Sequence, residues 1–253
     1  MNPKSELWSY ENKALVLVLS VRRFKSRHQS VRQQLDSLGI PFEFVFRFDD
    51  PDSEAQNLVR FKPVENIRAS DRSIASKHAE AWRIARQSGH SHLLVLEDDF
   101  VLRPNFFEQF DAVYRELVAL PAGHLINLGG ANSKVPLNLY RSSTFFYPHW
   151  METCEGYLCD QTALGKLLSW LDANLVDRPS DHMIRKASQE VGVQHYWPKD
   201  ALLEQGSLYR LFPSELDSVR SKTLSVFLSL MYESKKFRRR TLRKWFAYFL
   251  SAK

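Results

Sequence analysis

Three consecutive acids, Glu97, Asp98 and Asp99, close an apolar run at residues 93–96. Carboxylates so crowded repel one another unless a cation or a shared proton joins them. Hard oxygen donors in this arrangement suit Mg2+ or Mn2+ held partly through the phosphates of a substrate. An acidic turn that caps the following helix is the plainer alternative. The run before the acids contains nothing polar and follows Gly89, so it reads as a strand buried on both faces. In an open α/β sheet the C-terminal edge of such a strand is where ligands bind.

Other residues with chemistry to offer lie at similar punctuation points. Lys77 and His78 sit on a helical pattern that leads through Gly89 into the acid-tipped strand. From there either could reach a diphosphate as a cation or a donor, although a lone histidine on an apolar helix face is usually a core residue. Asp181 opens a helix after Pro179, where it is either the acid that complements the helix dipole or a carboxylate presented to the site. Gly129 and Gly130 end another apolar run and would let a ligand approach the backbone, as would an ordinary tight turn. The aromatic stretch at 132–150 reads as a loop that stacks a sugar or base, or as apolar lining. Cys154 and Cys159 are spaced wrongly for a thioredoxin-like pair and have no second pair to build a zinc site, so they read as free thiols.

The elements that position these residues follow from periodicity. Residues 14–20 read as a first buried strand, followed by a basic turn with Arg22, Arg23, Lys25 and Arg27. Val31, Leu35 and Leu38 recur at helical spacing, and Gly39 with Pro41 closes that helix. Residues 42–46 form a second strand, after which Asp49, Asp50 and Asp52 lie in a turn-rich loop. This is a βαβ unit whose loops open on the same sheet edge as the acids. A helix then begins near Ser70 with Asp71 as its N-cap and Ile74, His78, Ala81, Trp82 and Ala85 on one face. Further helices follow Pro104 and span 161–171, with strands at 124–128, 157–159 and 193–197. The pattern predicts one α/β domain over residues 1–220, a mostly parallel sheet flanked by helices, and a separate basic amphipathic helical tail at 221–253.

Charge supports that division. The chain has 253 residues, a formal net charge of +6 and a pI near 9.3. Residues 221–253 hold nine of the 35 Lys and Arg residues but only one of the 29 acids, Glu233, so the body is mildly acidic. Excess charge confined to an appendage argues against a domain built around a nucleic-acid groove and for a local surface interaction. Leu224, Phe227, Leu228 and Met231 recur at helical spacing, as do Leu242, Trp245, Phe246 and Phe249. With Arg243 and Lys244 between them, these suit an anionic membrane surface and are too short to span it. No run reaches the length of a membrane helix and the first residues lack a signal-peptide layout. The expected location is therefore the cytoplasm, peripheral on the inner face of the membrane.

Several blocks across residues 15–205 resemble glycosyltransferase family 25, the lipopolysaccharide and lipooligosaccharide sugar transferases of GT-A (Rossmann-like) fold. Ser20-Val-Arg-Arg23 through Arg27 resembles the family's opening strand and its two spaced arginines. Phe44 through Asp49 resembles its strand ending in an aspartate, and Ser73 through Trp82 its histidine four residues before a tryptophan. Leu93-Leu-Val-Leu-Glu-Asp-Asp99 is similar to its acidic motif. Tyr157 through Leu168 resembles its tyrosine strand and following helix, and Pro179 through Met183 its Pro-x-Asp segment. The chain departs from many members in carrying Lys77 for serine, and Thr153-Cys154-Glu155-Gly156 for a Gly-Thr pair.

The resemblance implies a metal-dependent, inverting hexosyltransferase that uses a nucleotide-diphosphate sugar, UDP-galactose or UDP-glucose, and a glycolipid or oligosaccharide acceptor. Glu97 and Asp99 would hold Mn2+ or Mg2+, and Asp98 would position sugar hydroxyls. Asp181 or Glu155 would take the proton from the acceptor hydroxyl. Arg23, Arg27 and Asp49 would contact the nucleotide, with Lys77 and His78 beside the diphosphate. The alternative is a non-catalytic nucleotide-sugar or carbohydrate binder on the same fold.

Overall fold

Leu15–Leu19 (β1) is almost wholly buried and has a strand on either side, which explains why it is apolar at every position rather than at alternate ones. The computed structural model describes residues 14–49, 59–63, 67–129, 146–150 and 153–209, with the single positions Ser234, Phe237 and Leu242. After β1 come α1 (Lys25–Asp36), β2 (Glu43–Val45), α2 (Ala69–Ser88), β3 (His92–Glu97), β4 (Phe100–Leu102) and α3 (Phe106–Glu116). Then follow β5 (His124–Asn127), β6 (Phe146–Pro148), β7 (Gly156–Asp160), α4 (Gln161–Ala173), α5 (Ser180–Val191), β8 (Gln194–Pro198) and β9 (Leu203–Gln205).

Seven strands form one sheet in the order β2-β1-β3-β7-β5-β8-β6. β1 runs parallel to β2 and β3, and β5 parallel to β8, while β7 runs against both β3 and β5 and β6 runs against β8. Five strands thus share one direction, so the sheet is mostly parallel, with β7 reversed in its middle. β4 and β9 make a separate antiparallel pair.

Alternation along the central strands divides the core between the sheet's two faces. Leu17, Leu19, Leu93, Val95, Leu125 and Tyr157 pack with Trp82 of α2, Leu164 and Leu167 of α4 and Ile184 of α5. Val16, Val18, Leu94, Leu96, Ile126 and Leu158 pack with Val31 and Leu35 of α1 and Phe106, Phe110 and Val113 of α3. Helices therefore cover both faces, and each fully buried Leu or Phe contributes roughly 1.5–3 kcal/mol.

The helix of residues 69–88 starts earlier than its sequence suggests. Arg68 is the N-cap residue and Asp71 lies in the first turn, where its carboxylate accepts from the Arg68 guanidinium at 3.0 Å. Gly89 ends this helix at φ 77°, a left-handed conformation that side chains other than glycine's resist. Part of the aromatic stretch, Phe146–Pro148, is a sheet-edge strand rather than irregular chain. β9 extends the body beyond the strand at 194–198. The two amphipathic stripes of the tail other than Leu242, together with Asp50, Asp52, Gly130 and residues 132–145, lie outside the described residues.

Candidate active site at the sheet edge

The C-terminal ends of β1, β3 and β5 meet the N-terminal end of β7, because β7 enters the sheet where its neighbours leave it. The backbone fixes this junction. Glu97 N–H donates to Glu155 O at 3.1 Å, Asp98 N–H to Leu19 O at 3.1 Å, and Leu128 N–H to Gly156 O at 3.0 Å. The acids that follow β3 are thereby brought beside Ser20, Gly129 and Glu155.

Each acid of the triplet has a different setting. Asp98 is buried and neutralised. Its Oδ1 accepts from Arg27 Nη1 at 2.6 Å and its Oδ2 from Ser20 Oγ at 2.5 Å, with His28 Nε2 2.9 Å from that same hydroxyl. Asp99 is also buried, at 6 % exposure, rather than a surface acid. Gln205 and Ser207 hydrogen-bond its carboxylate, yet burial raises its pKa, and its Oδ1 is enclosed without a hydrogen-bond partner among the described residues. Glu97 keeps 22 % of its side chain exposed. Its pKa is raised well above the usual carboxylate range, first by burial and then by Asp99, Asp98 and Asp181.

Glu97 faces two groups from other elements. His78 Nε2 of α2 lies 3.6 Å from Glu97 Oε1, and the donor atoms of His78, Glu97 and Cys154 all fall within 4.8 Å of one another. His78 is fully buried. Its Nδ1 is 2.9 Å from Tyr157 Oη, which also accepts from Trp82 Nε1 at 2.8 Å, so two side chains fix the ring through the far nitrogen. Burial holds its pKa to about 3 against the pull of Asp181, which keeps the imidazole neutral. The N-terminus of α5 closes this side. Ser180 hydrogen-bonds Cys154, and Asp181 acts electrostatically on His78, Glu97 and Cys154.

Glu155 is buried at 1 % exposure against Gly129, where an added Cβ would sit 2.0 Å from Glu155 Oε1. That near-contact explains the glycine: only a residue without a side chain leaves room for the carboxylate.

Asp49 owes its place to strain. Phe48 adopts φ 68°, the one left-handed non-glycine position among the described residues, at a cost of order 1–3 kcal/mol. Asp49 then takes Arg22 N–H at 2.8 Å and Lys77 Nζ at 2.6 Å. Lys77, 1 % exposed, also donates to Arg47 O at 2.8 Å. Its ammonium is turned onto Asp49 and the backbone and away from open space, so the sequence expectation of a lysine reaching a diphosphate gives way to one that holds Asp49. Arg23 is exposed and lies over the Phe24 ring at 5.0 Å.

The structure thus brings Glu97, Asp98, Asp99, Glu155, Asp181 and His78 to one edge, with Arg27 tied to Asp98 and Asp49 to Lys77. Sequence reasoning did not single out Ser20, Cys154 or Ser180 for this site. Only Ser20, following directly on an apolar strand, carried a usable signal. Glu97 and Asp99, whose carboxylates act on one another electrostatically, are a donor set that fits a divalent cation, which would relieve the crowded negative charge.

The sequence matches no protein-family model and no curated protein. Among solved structures, the chain is similar to a mannose-1-phosphate geranyltransferase from Thermus thermophilus, at 10% identity over 74% of each chain and a TM-score of 0.38. It is similar to the inositol-1-phosphate CTP transferase from T. maritima at 12% identity, over 87% of this chain and 97% of that one, with a TM-score of 0.41. Mouse xyloside xylosyltransferase 1 is likewise similar, at 12% identity over 72% and 84% of the two chains and a TM-score of 0.39.

Proposed function

We propose that the protein is a metal-dependent, inverting glycosyltransferase of GT-A type. It moves a hexose from a nucleotide-diphosphate sugar, UDP-galactose or UDP-glucose, to a lipopolysaccharide or other glycan acceptor. The observation that supports this reading best is the convergence of Glu97, Asp99, Glu155 and Asp181, delivered by three elements to one ligand-binding edge of the sheet. The sequence resemblance to glycosyltransferase family 25 supplies the donor and acceptor classes.

Glu97 and Asp99 would hold Mn2+ or Mg2+, which when bound supplies positive charge for the departing nucleotide diphosphate. Glu155 or Asp181 accepts the proton of the attacking hydroxyl; inversion needs one carboxylate on that side and no covalent intermediate. Asp98, locked by Arg27 and Ser20, presents a fixed wall to the sugar rather than a mobile base. Arg23, exposed on the turn after β1, contacts the nucleotide. The basic tail docks on the anionic inner face of the cytoplasmic membrane and brings the enzyme to a glycolipid acceptor.

Release of free nucleotide from a panel of nucleotide sugars, with and without EDTA, tests the assignment. Turnover of a UDP-hexose that stops in EDTA and is lost in Asp99→Asn is the expected result. Full turnover in EDTA, or preference for a CMP-linked sugar, which has no diphosphate, overturns the metal reading. Tight binding without release would identify the chain as a nucleotide-sugar binder.

A further inference from the structure

Cys154 has no part in the reaction proposed above, yet its sulfur shares a small buried space with an imidazole nitrogen and a carboxylate. His78 Nε2, Glu97 and Cys154 Sγ all lie within 4.8 Å of one another. We propose that these three side chains form a zinc site, distinct in donor chemistry from the oxygen pair Glu97 and Asp99. The inference does not depend on glycosyl transfer.

Four observations carry it. First, the donor types are one nitrogen, one sulfur and one oxygen. A thiolate and an imidazole select Zn2+ over Mg2+ or Ca2+, which prefer oxygen alone. Second, the spacing is close to what a tetrahedral ion needs. Bonds of about 2.0–2.3 Å place neighbouring ligand atoms roughly 3.3–3.8 Å apart. His78 Nε2 and Glu97 Oε1 are already 3.6 Å apart, and the sulfur has to close by no more than about 1.3 Å to complete the set.

Third, His78 Nε2 is fully enclosed, has no hydrogen-bond partner among the described residues and faces this space. An imidazole nitrogen buried without a partner is costly unless something occupies the position it faces. Fourth, the other ring nitrogen is held by Tyr157 Oη, itself held by Trp82. A ring clamped through the nitrogen away from the ion is the outer arrangement that metal-ligating histidines show.

Charge balances as well. A Cys154 thiolate and a Glu97 carboxylate together neutralise Zn2+, which suits a buried position, and the thiol proton leaves to solvent on binding. Three protein donors leave a fourth position open. Glu97, at 22 % exposure, is the most exposed of the three side chains, so water or a substrate oxygen would enter on its side. Because Glu97 belongs to both donor sets, zinc and an ion on the oxygen pair compete for one carboxylate.

The test uses the full chain and cobalt as a spectroscopic substitute for zinc. Stoichiometric Co2+ should give a thiolate-to-cobalt charge-transfer band in the near ultraviolet and intense visible bands of a four-coordinate ion. Zn2+ should displace it, and a large excess of Mg2+ should not. Cys154→Ser, nearly isosteric, should abolish the charge-transfer band and weaken zinc binding at least about a hundredfold, more than the 10- to 100-fold that loss of an outer partner costs. Tyr157→Phe should weaken it by about 10- to 100-fold. X-ray absorption at the zinc edge of the wild-type protein needs no variant and should show one sulfur at about 2.3 Å.

An oxygen- and nitrogen-only shell, or a cobalt spectrum unchanged by Cys154→Ser, overturns the proposal. So does a cobalt spectrum lost in Asp99→Asn but kept in Cys154→Ser, which would put the ion on the oxygen pair. Failure of the transferase reading leaves the cobalt band untouched, so the two outcomes are separable.

Discussion

Replacing Arg27 by Met tests whether this arginine is a ligand contact or part of the scaffold. Methionine keeps the aliphatic packing and removes the guanidinium. Arg27 Nη1 lies 2.6 Å from Asp98 Oδ1, with the two side chains 12% and 7% exposed, so the pair is poorly screened by water. Removing one partner of such a pair leaves an uncompensated buried charge, at a cost of about 3–5 kcal/mol. Ser20 Oγ still donates to Asp98 at 2.5 Å, which favours the lower part of that range. For a chain of this size the loss corresponds to a fall in Tm of roughly 6–20 °C. Adding Asp98→Asn removes the stranded charge and should recover at least half of the loss. Urea unfolding followed by tryptophan fluorescence, run as a double-mutant cycle, measures both quantities. A loss below about 1 kcal/mol with no coupling, the behaviour of an exposed pair, would refute the argument. It would return Arg27 to the role of a nucleotide contact.

Gly129→Ala should force the Glu155 carboxylate from its place, because the new Cβ would lie 2.0 Å from Oε1. The expected cost is about 1–3 kcal/mol of stability, with sugar transfer reduced at least about tenfold if Glu155 is the base; full activity excludes Glu155. His195 is held to about 3 by burial and by Arg185. Its folded pKa thus lies below the unfolded one, so its contribution to stability is complete above about pH 6.5 and is lost as pH falls toward 3, on the order of 3 kcal/mol by pH 4.5. His195→Gln should make the stability profile shallower in that window, leaving the slopes of His78, held to about 3, and His92, held to about 4; an unchanged acid slope contradicts this. Full-length protein should float with anionic liposomes and release in high salt, while a chain ending at Glu233 should not float; equal behaviour of the two removes the membrane role of the tail.

The central architecture was legible because its strands are buried on both faces. β1 and β3 are apolar at nearly every position, and a run of that kind ending in acids says both where the strand lies and where it stops. The direction of β7 was not legible. Tyr157-Leu-Cys159 reads the same whichever way the strand runs, and only its partners β3 and β5 reverse it. The three-residue strands β4, β6 and β9 are too short to show alternation. At the site, sequence placed the acids at the C-terminal end of β3, where they lie, but could not divide them. Asp98 differs from its neighbours through Arg27, 71 positions away, and Lys77 is turned inward by Asp49, 28 positions away. Such pairings are set by tertiary packing, which leaves no periodic trace.

Gly129 and Glu155 touch, so the chain leaves the sheet edge after β5 and returns to the same spot at the start of β7. Between these points the chain rejoins the sheet as β6, so the stretch open to exchange is residues 130–145, anchored at Gly129 and at Phe146. Closing a longer excursion is inexpensive, since doubling its length adds only about 0.6 kcal/mol of entropy. The fold can thus exchange this segment for another without disturbing Glu97, Asp99 or Glu155. Grafting segments of different length between these two anchors is a route to changing what the protein accepts while its reactive edge is preserved.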